Sequence, residues 1–232
     1  MKDEEVDEIL QKALGAPQVD PALLKHIADS LNSTLRPVRP LPPTWVLTGG
    51  LALICAAVAA AAAALAGWYG FEKLNLWNRL LIFSTLGILV WVTGTQLVSR
   101  VIPGSRQRVS AGALLAIGCA ALLGVFALAF RDYDTDHFIA AGVPCLRTGL
   151  LLAIPAACLS WLLLRRGFAV NPVAAGIVGG TFAGLCGVTM LELHCANFQT
   201  LHVLAWHIAV VPVSAAGGAL LARALRRRPA PK

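Results

Sequence analysis

Cysteine and histidine side chains between residues 145 and 207 are the groups in this 232-residue chain that could do chemistry. Thiolate sulfur and imidazole nitrogen are soft ligands that suit copper or zinc. We therefore predict a metal site for copper or zinc, with Cys145, Cys195, His194, His202 and His207 as its candidate ligands. Their spacing matches no consensus metal motif, so two other interpretations stay open. Cys145 and Cys195 could instead form a disulfide or redox pair, or all five could be packed polar residues.

The positions of Cys145 and Cys195 in the chain indicate that the two thiols share one depth. Cys145 precedes the short connection 165–171 by about 20 residues and Cys195 follows it by about 23. At 1.5 Å per residue each thiol then lies about 30–35 Å from the connection. Helices joined by so short a connection pack as antiparallel neighbours. Both thiols should therefore reach the same rim of the molecule.

The two histidines after Cys195 lie at different angles on an ideal α-helix. His202 and Trp206 are four residues apart and are predicted to share one face, whereas His207 falls about 140° away from His202. His207 lies inside an apolar segment, where an ionisable side chain is costly and usually has a partner. The modest alternative is a neutral, hydrogen-bonded imidazole beside Trp206. The other four cysteines are predicted to be small packing residues: Cys55, Cys119, Cys158 and Cys186.

Six uncharged apolar segments, each about as long as a bilayer is thick, must position these side chains. They are residues 45–67, 80–98, 109–130, 148–164, 172–191 and 203–222. A helix of about 20 apolar residues crosses the hydrocarbon core. The composition agrees, because 57% of the residues are hydrophobic and 13% are charged, unlike a soluble domain. The sequence therefore predicts an all-α integral membrane protein with six transmembrane helices.

The distribution of lysine and arginine predicts that both termini face the cytoplasm. Of the nineteen Lys and Arg residues, the segments then assigned to the outside carry only Lys73, Arg79, Arg131 and Arg147. The chain accordingly divides into a cytoplasmic tail (1–44), a six-helix bundle (45–222) and a basic cytoplasmic tail (223–232). In the inner, cytoplasmic membrane of a Gram-negative cell, the rim with the thiols would face the oxidising periplasm.

Small residues recur in the fifth apolar segment. Gly176, Gly180 and Gly184 follow one another at intervals of four, so they form a ridge on one helix face. Such a ridge lets two helix backbones approach closely. We expect it to pack against another span or against another subunit.

The N-terminal tail carries two amphipathic patterns that could bind a partner protein. The first pattern lies in an acidic segment, and Asp20 with Pro21 marks the start of the second as N-cap and N1 residue. The candidate partner-binding residues are Val6, Ile9, Leu10, Leu14, Leu23, Leu24, Ile27 and Leu31. Helices this short cannot build a core alone, so they dock on a partner, lie on the membrane, or stay disordered. The acidic first pattern favours a basic partner protein over an anionic lipid surface.

Several short motifs resemble those of the NrsF-like family of six-helix inner-membrane anti-sigma factors. A basic, proline-rich linker (36–43) precedes the first span, and Cys-Leu-Arg-Thr-Gly (145–149) opens the fourth. Arg-Arg-Gly (165–167) closes that span, and Leu-His-Cys (193–195) ends a glycine-rich fifth helix ahead of Trp206. The order and spacing of these motifs agree over residues 145–222.

The resemblance implies a regulatory role. The tail would hold an extracytoplasmic-function sigma factor at the membrane, and a periplasmic redox or metal signal at the cysteine pair would release it. In the family pattern, a proline often follows Leu-His-Cys and a tyrosine follows the tryptophan. This chain has Ala196 and His207 at those positions, and His202 is added.

Other function classes find less support in the sequence. A membrane redox, haem or thiol-active enzyme is one alternative, but there is no Cys-x-x-Cys and no catalytic motif, so we expect no enzyme. A small transporter is another, but the apolar segments are almost free of ionisable groups and their halves show no inverted repeat. A structural scaffold is a third alternative that the sequence leaves open. The sequence carries no nucleic-acid module and no evident small-molecule site; membrane lipid is the other expected partner.

Overall fold

The chain divides into two compact units, Met1–Leu41 and Pro42–Lys232. A computed structural model describes residues 20–34, 42–102, 104–105, 107, 109–166 and 169–226. Four of the predicted partner-binding residues lie outside this described part: Val6, Ile9, Leu10 and Leu14. The tail prediction can therefore be followed only in its second half.

Helix α1 (Pro21–Thr34) is the described element of the first unit. The Asp20 carboxylate accepts a hydrogen bond from the backbone N–H of Ala22 at 2.8 Å. With Pro21 as the first helical residue, this confirms the predicted helix start. The apolar side chains of α1 are about half exposed: Leu23, Leu24, Ile27 and Leu31. They form a stripe that a single short helix cannot bury by itself.

The second unit is a bundle of helices. Its elements are α2 (Thr44–Ala66), α3 (Tyr69–Lys73), α4 (Leu76–Val101), α5 (Ala111–Ala129), α6 (Phe138–Arg166), α7 (Pro172–His194), α8 (Thr200–His202), the π-helical segment Val203–His207 and α9 (Ile208–Arg226). Six helices in the described part are long and apolar enough to cross a membrane, the last running from Thr200 to Leu225. The predicted six-span, all-α membrane fold is confirmed.

The fourth span begins earlier than the sequence predicted. The predicted segment starts at residue 148, directly after Arg147, whereas α6 begins at Phe138. Arg147 is exposed on α6, so its charge does not enter the core and the helix extends past it. Cys145 consequently lies inside α6 and does not open it.

Side-chain caps fix the starts of three spans. Asn75, Ser110 and Asn171 precede α4, α5 and α7, and each side-chain oxygen accepts a hydrogen bond from the backbone N–H three residues later. Each cap satisfies one of the four N–H groups that a helix start leaves unpaired. These polar residues therefore set where the apolar helices begin.

Helix α7 is the centre of the bundle. Almost every side chain from Ala175 to Leu193 is buried, and α7 packs against both neighbours in the chain, α6 and α9. A Cβ on Gly180 would collide with the backbone of Ser214, and one on Gly176 would collide with that of Gly218. The predicted glycine ridge therefore packs against another span of the same chain, α9.

The connections 67–75, 130–137 and 195–199 lie at one end of the bundle, which we call the upper end. Helix α3 covers part of it: a Cβ on Gly70 would come within 2.6 Å of the carbonyl oxygens of Glu192 and Cys195. An apolar cluster that includes Phe126, Leu191 and Ile208 packs beneath it. The upper end is thus anchored on a well-packed core.

Candidate metal centre

Four of the five predicted ligand residues come together at the upper end. Cys145, Cys195, His202 and His207 each offer one ligand atom, and these atoms all lie within 4.8 Å of one another. We call these four residues the Cys/His cluster. Groups of this kind are the usual ligands of zinc and other transition metals in proteins.

The two thiols of the Cys/His cluster are in contact. Cys145 Sγ lies 3.4 Å from Cys195 Sγ, in agreement with the predicted common depth of the two residues. All six cysteines fall in the described part of the chain, and each is an unbonded thiol. The two sulfur atoms are therefore in contact without a disulfide bond between them.

The end of α7 positions Cys195. It is the C-cap residue, and its backbone N–H donates to the Leu191 carbonyl oxygen at 2.7 Å. Its side chain is 8% exposed. The hydrogen bond to Cys145, together with burial, raises the pKa of the Cys195 thiol above its ordinary value.

A π-helical segment, Val203–His207, brings the two histidines together. The ring centroids of His202 and His207 are 5.4 Å apart and the rings are nearly perpendicular. The expected separation of about 140° is therefore wrong. It assumed α-helical winding, whereas i→i+5 hydrogen bonding widens the turn so that residues five apart lie on nearly the same face.

Both imidazoles are fully enclosed. His202 is 0% exposed and His207 is 1% exposed. His202 Nε2 lies 3.8 Å from Cys195 Sγ. In the described part of the chain, His202 Nδ1 and His207 Nε2 have no hydrogen-bond partner. Each imidazole thus keeps a buried ring nitrogen that no described protein group satisfies.

Glu192 is the partner of His207. Its Oε1 lies 2.6 Å from His207 Nδ1, and both side chains are 1% exposed. The sequence predicted that His207 would have a partner but did not identify Glu192. The available signal was a carboxylate at the end of one apolar segment and an ionisable histidine inside the next, since isolated charges are rare in spans. A carboxylate that accepts the Nδ1–H leaves Nε2 as the nitrogen available for a ligand bond.

Trp206 closes one side of the Cys/His cluster. Its indole packs against Phe138 with ring centroids 5.5 Å apart. It also lies directly against Gly142, three residues before Cys145, where a Cβ would overlap the indole ring. Gly142 therefore allows α6 to approach the last span closely.

His194 does not join the Cys/His cluster. Its Nδ1 lies 3.1 Å from the Gly67 carbonyl oxygen, and its ring faces Tyr69 at a centroid distance of 5.9 Å. His194 precedes Cys195 in sequence, but the chain turns out of α7 between them. This predicted ligand therefore lies at the end of α7 and contacts the connection between α2 and α4 instead of the Cys/His cluster.

The remaining cysteines are distributed through the bundle. Cys55 and Cys186 are buried together in an apolar cluster with Phe182. Cys119 packs partly buried against the cluster beneath the upper end, and Cys158 is exposed. The positions of Cys55, Cys119 and Cys186 agree with the predicted packing role, whereas Cys158 lies on the exposed surface of α6.

A comparison with known protein families identifies the chain. The family model described as "Negative regulator of sigma F" (NrsF) matches residues 31–227. No curated protein and no solved structure matches the chain. The match contains all six spans and the whole Cys/His cluster, and it begins at Leu31 of α1. The protein is therefore a multi-pass membrane protein that belongs to the NrsF family of negative regulators of a sigma factor.

Proposed function

We propose that this protein is an anti-sigma factor of the bacterial inner membrane that sequesters an extracytoplasmic-function sigma factor. The observation that carries the proposal is the family match over residues 31–227, because that family negatively regulates a sigma factor. The six spans supply the membrane anchor. A bound sigma factor held at the membrane would be kept from RNA polymerase.

We assign sigma-factor binding to the N-terminal unit. The exposed apolar side chains of α1 support this assignment, because they include Leu23, Leu24 and Ile27 on one helix face. An amphipathic helix of this kind binds in an apolar groove of a partner. Most of the unit precedes the family match, which agrees with a segment adapted to one particular sigma factor.

We assign signal detection to the Cys/His cluster, in the periplasm. The cluster joins α6, the end of α7 and the start of the last span, so a change there acts on three elements at once. Oxidation of the two thiols would form one S–S bond and pass two electrons and two protons to the oxidant. A metal ion would instead hold the same elements together. Either event could bias two arrangements of the bundle.

The sensor and the tail would communicate across the membrane. Helix α2 ends at the upper end beside His194, through Gly67. Its 23 residues span about 35 Å, so α2 begins at the opposite end of the bundle, at Thr44. Release of the sigma factor would therefore require a movement of whole helices rather than a local change at the tail.

Co-purification tests the sequestering role. The full-length protein, extracted in detergent from its own cells, should retain a sigma factor. Leu24→Glu and Ile27→Glu should abolish this retention, because each puts a charge on the apolar stripe of α1. Lys25→Glu is the matched control, since it introduces the same residue on the opposite face of α1 and should retain the sigma factor. Recovery of no sigma factor with the unaltered protein would contradict the proposal.

A further inference from the structure

The Cys/His cluster is completed by a carboxylate that no sequence motif identifies. Helix α7 contributes Glu192 and its C-cap residue Cys195. The start of the last span contributes His202 and His207, and α6 contributes Cys145. The side chains of Glu192, His202 and His207 are at least 99% buried. Buried polar and ionisable side chains are destabilising unless they are paired, so these groups are expected to bind a ligand.

The distances within the Cys/His cluster fit a tetrahedral ion. With zinc bonds of about 2.3 Å to sulfur and about 2.0–2.1 Å to nitrogen, the edges of the tetrahedron measure about 3.3–3.8 Å. Cys145 and Cys195 are 3.4 Å apart through their sulfur atoms, and Cys195 Sγ is 3.8 Å from His202 Nε2. The four ligand atoms thus stand where such an ion could contact all of them after small side-chain adjustments.

The unsatisfied atoms also indicate a cation. In the described part of the chain, His202 Nδ1, His207 Nε2 and Glu192 Oε2 are buried without a hydrogen-bond partner. A buried polar atom without a partner destabilises the folded protein. A positive ion would take the free His207 Nε2 as a ligand and so satisfy that nitrogen. Packed polar residues alone would leave His207 Nε2 without a partner.

Glu192 has the position of an outer partner of a metal ligand. The second ring N–H of a metal-binding histidine usually donates a hydrogen bond to a carboxylate, and this bond fixes the tautomer and the ring orientation. The 2.6 Å contact between Glu192 Oε1 and His207 Nδ1 has this arrangement. Glu192 is not one of the four residues whose ligand atoms lie within 4.8 Å of one another, so we assign it the positioning of His207 and not the place of a fifth ligand.

We infer that the Cys/His cluster is a closed, four-ligand site for a zinc-type divalent cation, in which Glu192 positions His207. Two sulfur and two nitrogen ligands are a set typical of tetrahedral zinc. All four positions are filled by protein, which is typical of structural zinc sites rather than catalytic ones. The bound ion would hold α6, α7 and the last span together at the upper end. This inference deepens the proposed sensing role of the same cluster, but ion binding itself does not depend on a sigma factor.

Cobalt titration of the full-length protein in detergent tests the inference. Co²⁺ in a tetrahedral thiolate site gives visible absorption and a sulfur charge-transfer band, and Zn²⁺ should displace it. We expect one Co²⁺ per chain. C195S and H207Q should abolish the four-ligand spectrum, and E192Q should weaken binding about 10–100-fold while the spectrum persists. H194Q and C158S are the controls, and both should bind as the unaltered protein does.

Two results would overturn the inference. The first is an unaltered protein that binds no Co²⁺ or Zn²⁺, a result that needs no variant to fold. The second is unchanged binding in both H202Q and H207Q, which would reduce the site to a pair of thiols. Retention of the sigma factor is measured on the same preparations. A protein that keeps its sigma factor but binds no metal contradicts this inference alone, and the reverse pattern contradicts the proposed function alone.

Discussion

Trp206 of the last span lies directly against Gly142 of α6, and this contact sets the distance between the two helices beside Cys145. Gly142→Val should therefore push the indole away and separate Cys145 from the histidines. Overpacking of this kind costs about 1–3 kcal/mol. We expect a lower melting temperature in detergent and a red-shifted, more solvent-exposed tryptophan emission.

Gly112→Val is the matched control for Gly142→Val. A Cβ at Gly112 meets no atom within 4 Å, so the same substitution should leave stability unchanged. If the two variants have the same melting temperature, the contact between Trp206 and Gly142 does not determine the distance between the helices.

Cys145→Ser and Cys195→Ser should have the same phenotype in cells. The two thiols are 3.4 Å apart, so a disulfide or a shared metal ion is lost when either is removed. We expect a reporter of the sigma factor to lose its response to oxidants and to metals equally in both variants. Cys119→Ser should respond normally, because Cys119 packs outside the Cys/His cluster. A normal response in one variant and none in its counterpart would contradict a paired role.

The fold could be predicted from the sequence because lipid imposes simple rules. Apolar length alone identified the six spans, and the equal distances of Cys145 and Cys195 from the α6–α7 connection placed the thiols together. The apolar run predicts a later start for α6 than the structure shows, since α6 begins at Phe138 and continues past the charged Arg147. An exposed arginine on a helix can extend its cation to the interface, and sequence alone does not reveal which face it occupies.

The details of the Cys/His cluster were harder to predict. A π-helical turn is a local departure from the common winding, and nothing in the residues 203–207 required it. Without that turn, His207 points away from His202 and its carboxylate partner is not apparent. His194 was included because it adjoins Cys195, but the chain direction changes at the end of α7. Neither adjacency in sequence nor the angle around an ideal α-helix therefore predicted correctly which histidines meet the thiols.

Gly180→Leu should destabilise the bundle strongly. Its side chain would have to occupy the space of the Ser214 backbone in α9. Because the two helices would separate along their whole contact, we expect a loss at the upper part of the 1–3 kcal/mol range for overpacking, or above it. Thermal unfolding in detergent, followed by circular dichroism, measures the change.

Gly217→Leu is the control for Gly180→Leu. Gly217 lies in α9, the other helix of this pair, but it is exposed and a Cβ there meets no atom within 4 Å. It should unfold within a degree or two of the unaltered protein. Equal destabilisation by both substitutions would mean that leucine is harmful in these helices for reasons other than contact.

Reporter fusions should place the Cys/His cluster on the periplasmic side. Six spans put both termini on one side of the membrane, and the excess of Lys and Arg in the connections opposite the cluster predicts that this side is the cytoplasm. A reporter fused after Lys232 should be active only in the cytoplasm, and one inserted after Asp134, in the exposed part of the connection 130–137, only in the periplasm. The insertion also serves as the control for expression, because the two fusions must give opposite results. Activity of the Lys232 fusion in the periplasm would reverse the topology, put the tail on the wrong side for a sigma factor, and so remove the physical basis of the proposed sequestration.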